Sequence, residues 1–504
     1  MKFPSEMTQI TEVADDDYLL IGDASDSGAA KATTVGDALA TKQDVLTGTN
    51  DVPGLNDALA SKQNILIGTS DVPGLDTALA GKVDAIAGKG LSTNDYIDAD
   101  KAKLAGITPS ESAEPGGIPV ADSSGHISMG WLPLKTNLEN LGAVGFRWDP
   151  LADTYQTFNL SSLTDCHLNM KRCIMDNTGT KVYNLGATDS TKQEDGVTDA
   201  TLDGSIGQIM TEIPKTYYAL FTDDYGYVNL FTSDTPLPEM SLHPAFNWGG
   251  TIKDNVYIGS LEACLYQSTK YGSAYPSAAT PPANNLTRTQ FRTNMADGVF
   301  GQWYWHQYDL LRLLMYSEYG TFRVQEQLEG HTEDSSDEAN LTPVGATLSL
   351  GNASGTINNG SLNTANSYRG IENPFGNIGK WVDGINVYDW VPYICDDPAD
   401  IAALGTTPPA DYHPILDQHG NIVELPHSHN YQKHLWDGTL LPATIGGGGS
   451  SYISDYFYQA SGARVVRVGG DLRFTRAAGL GCLHAAGAAS YTGWDVGSRS
   501  AIIA

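Results

Sequence analysis

Cysteine and positive charge are both scarce in this chain. Its 504 residues include five cysteines, Cys166, Cys173, Cys264, Cys395 and Cys482. The number is odd and no CxxC pair occurs, so neither a disulfide framework nor a zinc ribbon is expected. Reduced thiols in a protein folded in cytoplasm are expected instead. Lys and Arg number 29 against 59 Asp and Glu, which leaves a formal net charge of −30. A chain this acidic repels phosphate backbones, so nucleic-acid binding is not expected. Met1 to Asp17 is polar and acidic and lacks the basic-then-apolar order of a signal peptide. No apolar run is long enough to span a membrane, so no membrane insertion is expected. No GxSxG, P-loop or GxGxxG context occurs.

What is present is Gly (54 residues) and a 41% share of hydrophobic residues. That mix suits a β-rich, loop-rich protein with at least one large core. The length calls for about two to four units. Near the N-terminus, Leu39, Leu59 and Leu79 are spaced by 20, as are Lys42, Lys62 and Lys82. Asp51-Val52-Pro53-Gly54-Leu55 recurs as Asp71-Val72-Pro73-Gly74-Leu75. Each unit reads as a short helix after the proline and then an extended piece. Such units cannot bury their apolar residues alone, and further copies of the same chain are the simplest neighbours.

From about residue 146 aromatic residues become frequent. Thr216 to Phe221 and Tyr227 to Phe231 read as strands around a turn. Thr287-x-x-Gln290 is a capping box that opens a helix before Phe291 and Met295. Gln307 to Gln327 reads as a second helix, and its dense leucines predict burial on all sides. Tyr456 to Gln459 and Arg464 to Val468 read as late strands. Two helices against a loop-heavy antiparallel sheet give an α+β plan.

Several stretches resemble phage tail fibres. Asp17 to Ser25 resembles their particle-proximal start, Gly88-Lys89-Gly90-Leu91-Ser92-Thr93-Asn94-Asp95-Tyr96 a shaft motif, and Gly117-Ile118-Pro119 through Trp131-Leu132-Pro133 a shaft-to-head connector. Residues 146–504 resemble the formylglycine-generating-enzyme-like branch of the C-type-lectin fold. The resemblance is carried by Tyr368 to Asn377, Trp381-Val382-Asp383-Gly384, and Arg464 to Gly470 with Trp494, Gly497 and Arg499. The last block is most similar to variable proteins of diversity-generating retroelements.

This resemblance implies a trimeric tail fibre with residues 1–36 as virion attachment, 37–110 as stalk, 111–145 as connector and 146–504 as a C-type-lectin-like head. The head would bind a bacterial surface receptor, protein or glycan. The N-terminus would join tail or baseplate proteins. Such a protein is made in the host cytoplasm and ends in the virion. A tail-associated glycan depolymerase and a purely structural virion component are the alternatives.

Retroelements of this kind rewrite AAY codons, which cannot yield Lys, Glu, Gln, Met or Trp. Lys, Glu, Gln and Met fill 57 of 504 positions, so about five would be expected in the last 43. Gly462 to Ala504 contains none, and its single Trp, Trp494, is a framework position in the family. The same stretch holds five Arg and two Asp in a chain of −30, a balance suited to an anionic bacterial surface. The expected contact residues are Leu472, Arg473, Phe474, Arg476, Gly481, Cys482, His484, Tyr491, Thr492 and Asp495. Arg464, Arg467 and Arg499 are expected to form framework ion pairs instead.

Enzyme chemistry is not expected. The oxidase branch of the fold binds copper through a cysteine pair near the C-terminus, whereas Cys482 stands alone. Lys380 occupies the position before Trp381 where that branch carries glutamate. His427, His429 and His434 have metal-like spacing, but solvated histidines are the simpler expectation. Glu333 to Glu338 could attract Ca²⁺ but lacks the spaced ligands of an EF-hand loop, so no cofactor is assigned.

Overall fold

A computed structural model describes residues 138–504 apart from 151, 224–225, 334–336, 359–363, 416–428, 437–439 and 446–452, and before them only 18–21, 31–34, 54, 56–57, 74, 108–110 and 117–119. The chain divides into two compact units, Met1–Ala105 and Gly106–Ala504.

In the first unit, strands Tyr18–Ile21 and Lys31–Thr34 pair antiparallel. Gly54 and Gly74, equivalent positions of the sequence repeat, both turn in the left-handed region, at φ of 83° and 85°. Glycine takes this conformation without the Cβ penalty, so the repeat extends to backbone geometry. Most of the repeat otherwise lies outside the described residues.

The second unit is mostly sheet with few helices, so the α+β expectation holds at that level. Among the described residues it holds three large sheets and four small ones of two or three strands. A five-stranded sheet runs in the order Ser241–Leu242, Tyr217–Thr222, Val228–Ser233, Val144–Asp149, Thr154–Phe158. A six-stranded sheet contains Gln208–Pro214, Asn255–Gly259 and the C-terminal strand Ser500–Ile502. A nine-stranded sheet is centred on Gly379–Tyr388, Ala463–Val468, Leu483–Gly487 and Tyr456–Gln459.

Three helices occur among the described residues from 138 onward: α1 (Asp165–Leu168), α2 (Arg288–Met295) and α3 (Trp305–Tyr319). The capping box opens α2 as expected: Thr287 Oγ accepts from Gln290 N, and Gln290 Oε1 accepts from Thr287 N at 2.8 Å. Every α3 residue from Trp305 to Ser317 is buried. The helix lies against both the five-stranded and the nine-stranded sheet. Its leucines Leu310, Leu311, Leu313 and Leu314 join Phe146, Leu230, Val382 and Val466 in the main core. Burial of one such leucine contributes about 1.5–3 kcal/mol.

α3 ends at Tyr319, earlier than the expected Gln327. Gly320 adopts φ 66°, and its N–H caps the Tyr316 carbonyl. This left-handed cap stops the helix, and a 3-10 turn at Val324–Glu326 follows. The Thr216–Phe221 and Tyr227–Phe231 strands appear as the antiparallel pair Tyr217–Thr222 and Val228–Ser233. No helix among the described residues is long and apolar enough to cross a membrane.

A buried ionic frame locks the chain end to the rest of the second unit. Lys380 and Glu262 pair at 2.9 Å with both side chains fully buried. Glu262 Oε2 also accepts from Asn377 Nδ2 at 2.6 Å. Arg499 donates to the carbonyls of Gly259 and Glu372. Burial pushes the Lys380 ammonium below its ordinary value, although Glu262 opposes the shift.

Candidate functional site

Three neighbouring strands of the nine-stranded sheet turn one face outward. Side chains alternate across a strand with period two. Phe457, Gln459, Val466, Val468, Leu483 and Ala485 point into the core, whereas Tyr456, Tyr458, Arg467, His484 and Ala486 are half-buried on the opposite face. The register sets Tyr458 and Arg467 on either side of His484.

An aromatic row follows from that register. Tyr456 and Tyr458 lie parallel within 11°, with centroids 6.3 Å apart. Phe474 meets Tyr456 edge-on at 5.7 Å, and His484 lies 5.1 Å from Tyr458. Burial and the Arg467 guanidinium lower His484 to about 3, so the imidazole is neutral at physiological pH.

Two loops frame the row. In the first, residues 469–482, Gly469 and Gly470 make the turn at φ 85° and 67°. Asp471 accepts from the backbone N–H and the guanidinium of Arg473. In the second, residues 488–495, Ala488 to Thr492 are exposed. Asp495 ties the loops together by accepting from Arg467 Nη1 at 2.8 Å and Arg473 Nη2 at 2.7 Å. Burial opposes ionisation of Asp495, but the two arginines outweigh it and hold the carboxyl below its ordinary value. The Arg473 guanidinium also sits 4.8 Å over the Trp494 ring, and that of Arg467 sits 5.6 Å from the Tyr491 ring.

Buried Asp455 and Tyr308 and half-buried Gln325, all from outside this stretch, hold the first loop from below. Asp455 Oδ2 accepts from Gly481 N at 2.6 Å, and Asp455 Oδ1 from Gln325 Nε2 at 2.5 Å. Tyr308 donates its hydroxyl to the Leu480 carbonyl. A Cβ at Gly479 would collide with the Asp455 carboxylate, so that position requires glycine. Burial raises Asp455 to about 6.

The expected contact set divides in two. Arg473, Phe474 and His484 are half-buried, and Arg476, Tyr491 and Thr492 are exposed, all at the surface of this region. Leu472, Gly481, Cys482 and Asp495 are buried, and the expectation that they touch a ligand is corrected accordingly. Leu472 packs with Leu341, Ile378 and Trp494. Cys482 lies against the Gly470 turn, and burial pushes its thiol well up. Asp495 acts through the arginines that it holds.

Of the expected framework arginines, Arg467 forms its ion pair, but Arg499 and Arg464 bind backbone carbonyls instead. Arg473, expected as a contact, is also part of the ion-pair network. Sequence reasoning missed Tyr456, Tyr458, Arg467 and Trp494 as members of the face. Alternation around Phe457 carried the signal for the two tyrosines.

All five cysteines are free and buried. Among the described residues no group of three His, Cys, Asp or Glu could hold a metal ion. His427 and the side chains of His429 and His434 lie outside the described residues, as does the middle of the Glu333–Glu338 loop. Asp337 of that loop accepts from Ala339 N as a helix cap.

No family model and no curated protein matches this chain.

Proposed function

We propose that this protein is a phage tail-fibre adhesin that binds a bacterial surface receptor through the face carrying Arg473, Phe474, Arg476, His484, Tyr491 and Thr492. The head would be a C-type-lectin-like domain of the variable-protein kind. The repeats would assemble three chains, and the N-terminal segment would attach to the tail or baseplate of the virion. Three copies of the face would multiply weak contacts by avidity.

One observation carries this reading. The residues that form the exposed part of the face fall almost wholly within Gly462 to Ala504, the stretch free of Lys, Glu, Gln and Met. The side chains that anchor its loop, Tyr308, Gln325 and Asp455, come from outside that stretch. Such a division lets surface residues change while their support stays constant.

The test exchanges residues 471–495 for those of a fibre with another host range and scores adsorption. The expected result is a change of host. Unchanged host choice would remove the reading. Incubation with host surface glycans is expected to release no fragments, and fragment release would favour a depolymerase.

A further inference from the structure

The face has an unusual charge pattern for so acidic a chain. Asp471 and Asp495 are the only acidic residues between Gly462 and Ala504. Both are buried, at 1% and 5% exposure, and both are taken up by arginine. Arg473 keeps 31% of its side chain exposed even while paired. Arg476 is exposed, and no ion pair involves it among the described residues. The charge that this stretch offers to solvent is therefore only positive. Screening at physiological ionic strength acts over about 8 Å. Glu333, exposed next to the Thr332 carbonyl that accepts from Thr475 N, borders this loop, so the positive charge is local to Arg473 and Arg476.

Its apolar surface is equally selective. Among the large hydrophobic residues that are exposed, Tyr491 alone belongs to this face, and Leu141, Leu168, Val182, Val197, Ile206, Ile252 and Leu265 all lie elsewhere in the sequence. The face offers the tyrosine rings with their polar tips, the Phe474 ring, and no exposed large aliphatic side chain. A row of such rings suits a ligand that pairs C–H faces with hydroxyl groups.

We propose that the ligand is an anionic glycan, whose sugar rings pack on Tyr456, Tyr458, Phe474 and Tyr491 while its carboxylate or phosphate groups meet Arg473 and Arg476. Arg476 can offer its planar fork to either anion, whereas Arg473, whose Nε and Nη2 already bind Asp471, contributes mainly charge. The neutral His484 imidazole adds a hydrogen-bonding group without charge. This inference deepens the reading of the face as a receptor site and rests on it.

The test uses purified full-length protein and intact host cells, before and after protease treatment. It then uses host surface polysaccharide in three forms: untreated, carboxyl-reduced and dephosphorylated. Binding is expected to survive protease. It is expected to fall at least tenfold on one of the two modified glycans, which identifies uronate or phosphate as the anion. Arg476→Ala is expected to weaken binding to untreated glycan about tenfold without altering thermal unfolding. Abolition of cell binding by protease would overturn the glycan proposal and leave the adhesin reading intact. Equal binding to all three glycan forms, or an undiminished Arg476→Ala, would overturn the anionic requirement. Failure to bind untreated cells at all would instead count against the adhesin reading itself.

Discussion

Arg473 and Asp495 are joined by a 2.7 Å ion pair that bridges the two loops of the candidate face. Asp495 is nearly buried, whereas Arg473 is about one-third exposed, so the pair holds a solvent-facing cation in place from beneath. Arg467 shares the same carboxylate oxygen.

Asp495→Ala is expected to leave both arginines without this acceptor and to loosen the loops together. A double-mutant cycle with Arg473→Ala should give a coupling of roughly 0.5–1 kcal/mol, a modest value because Arg473 is partly solvated and keeps Asp471. Denaturant unfolding of the four proteins measures it. Strict additivity would mean that the pair does not connect the loops energetically.

The Lys380–Glu262 pair is different because both side chains are fully buried. Lys380→Met leaves the Glu262 carboxylate buried without its cation and should cost about 3–5 kcal/mol. Adding Glu262→Gln should recover much of that loss, since the amide needs no countercharge. Urea unfolding curves decide, and a single variant as stable as the parent would contradict the account.

His484 predicts a dependence on acid. Its folded-state value is lowered to about 3 by burial and Arg467, while the unfolded chain titrates near 6.5. Between those values the unfolded state binds more protons, so this group makes stability fall as pH drops from about 6.5 toward 3. His484→Gln should therefore lose less stability than the parent between pH 6.5 and 4. The two unfolding series would disprove this if they ran parallel.

Thiol chemistry provides a simple check on the interior. Burial raises Cys166, Cys173, Cys264 and Cys395 to about 12 and raises Cys482 further. Buried thiols kept protonated react slowly. None should react with an aromatic disulfide reagent in native buffer, and all five should react in denaturant. A fast native reaction at Cys482 would return it to the surface of the face.

Much of this architecture is legible in the sequence. Thr287 and Gln290 announce α2 because a capping box is local chemistry, and the dense leucines of α3 announce its burial. The end of α3 was readable too, since Gly320 is a natural left-handed cap, but the apolar pattern beyond it hides the stop. The face was only half legible. Phe474, Arg476 and Tyr491 lie in loops that the sequence marks by composition. Leu472 and Cys482 turn inward because of contacts with Leu341, Ile378 and Gly470, which no local pattern reveals. The role of Asp455 depends on a backbone amide 26 positions away.

The most direct measurement compares the binding of purified full-length protein to intact host bacteria with that of the triple variant Arg473→Ala, Phe474→Ala, Tyr491→Ala, after thermal unfolding shows both to be folded. Loss of at least tenfold in binding is the predicted result. Undiminished binding by the folded triple variant would contradict the claim that this face meets the host.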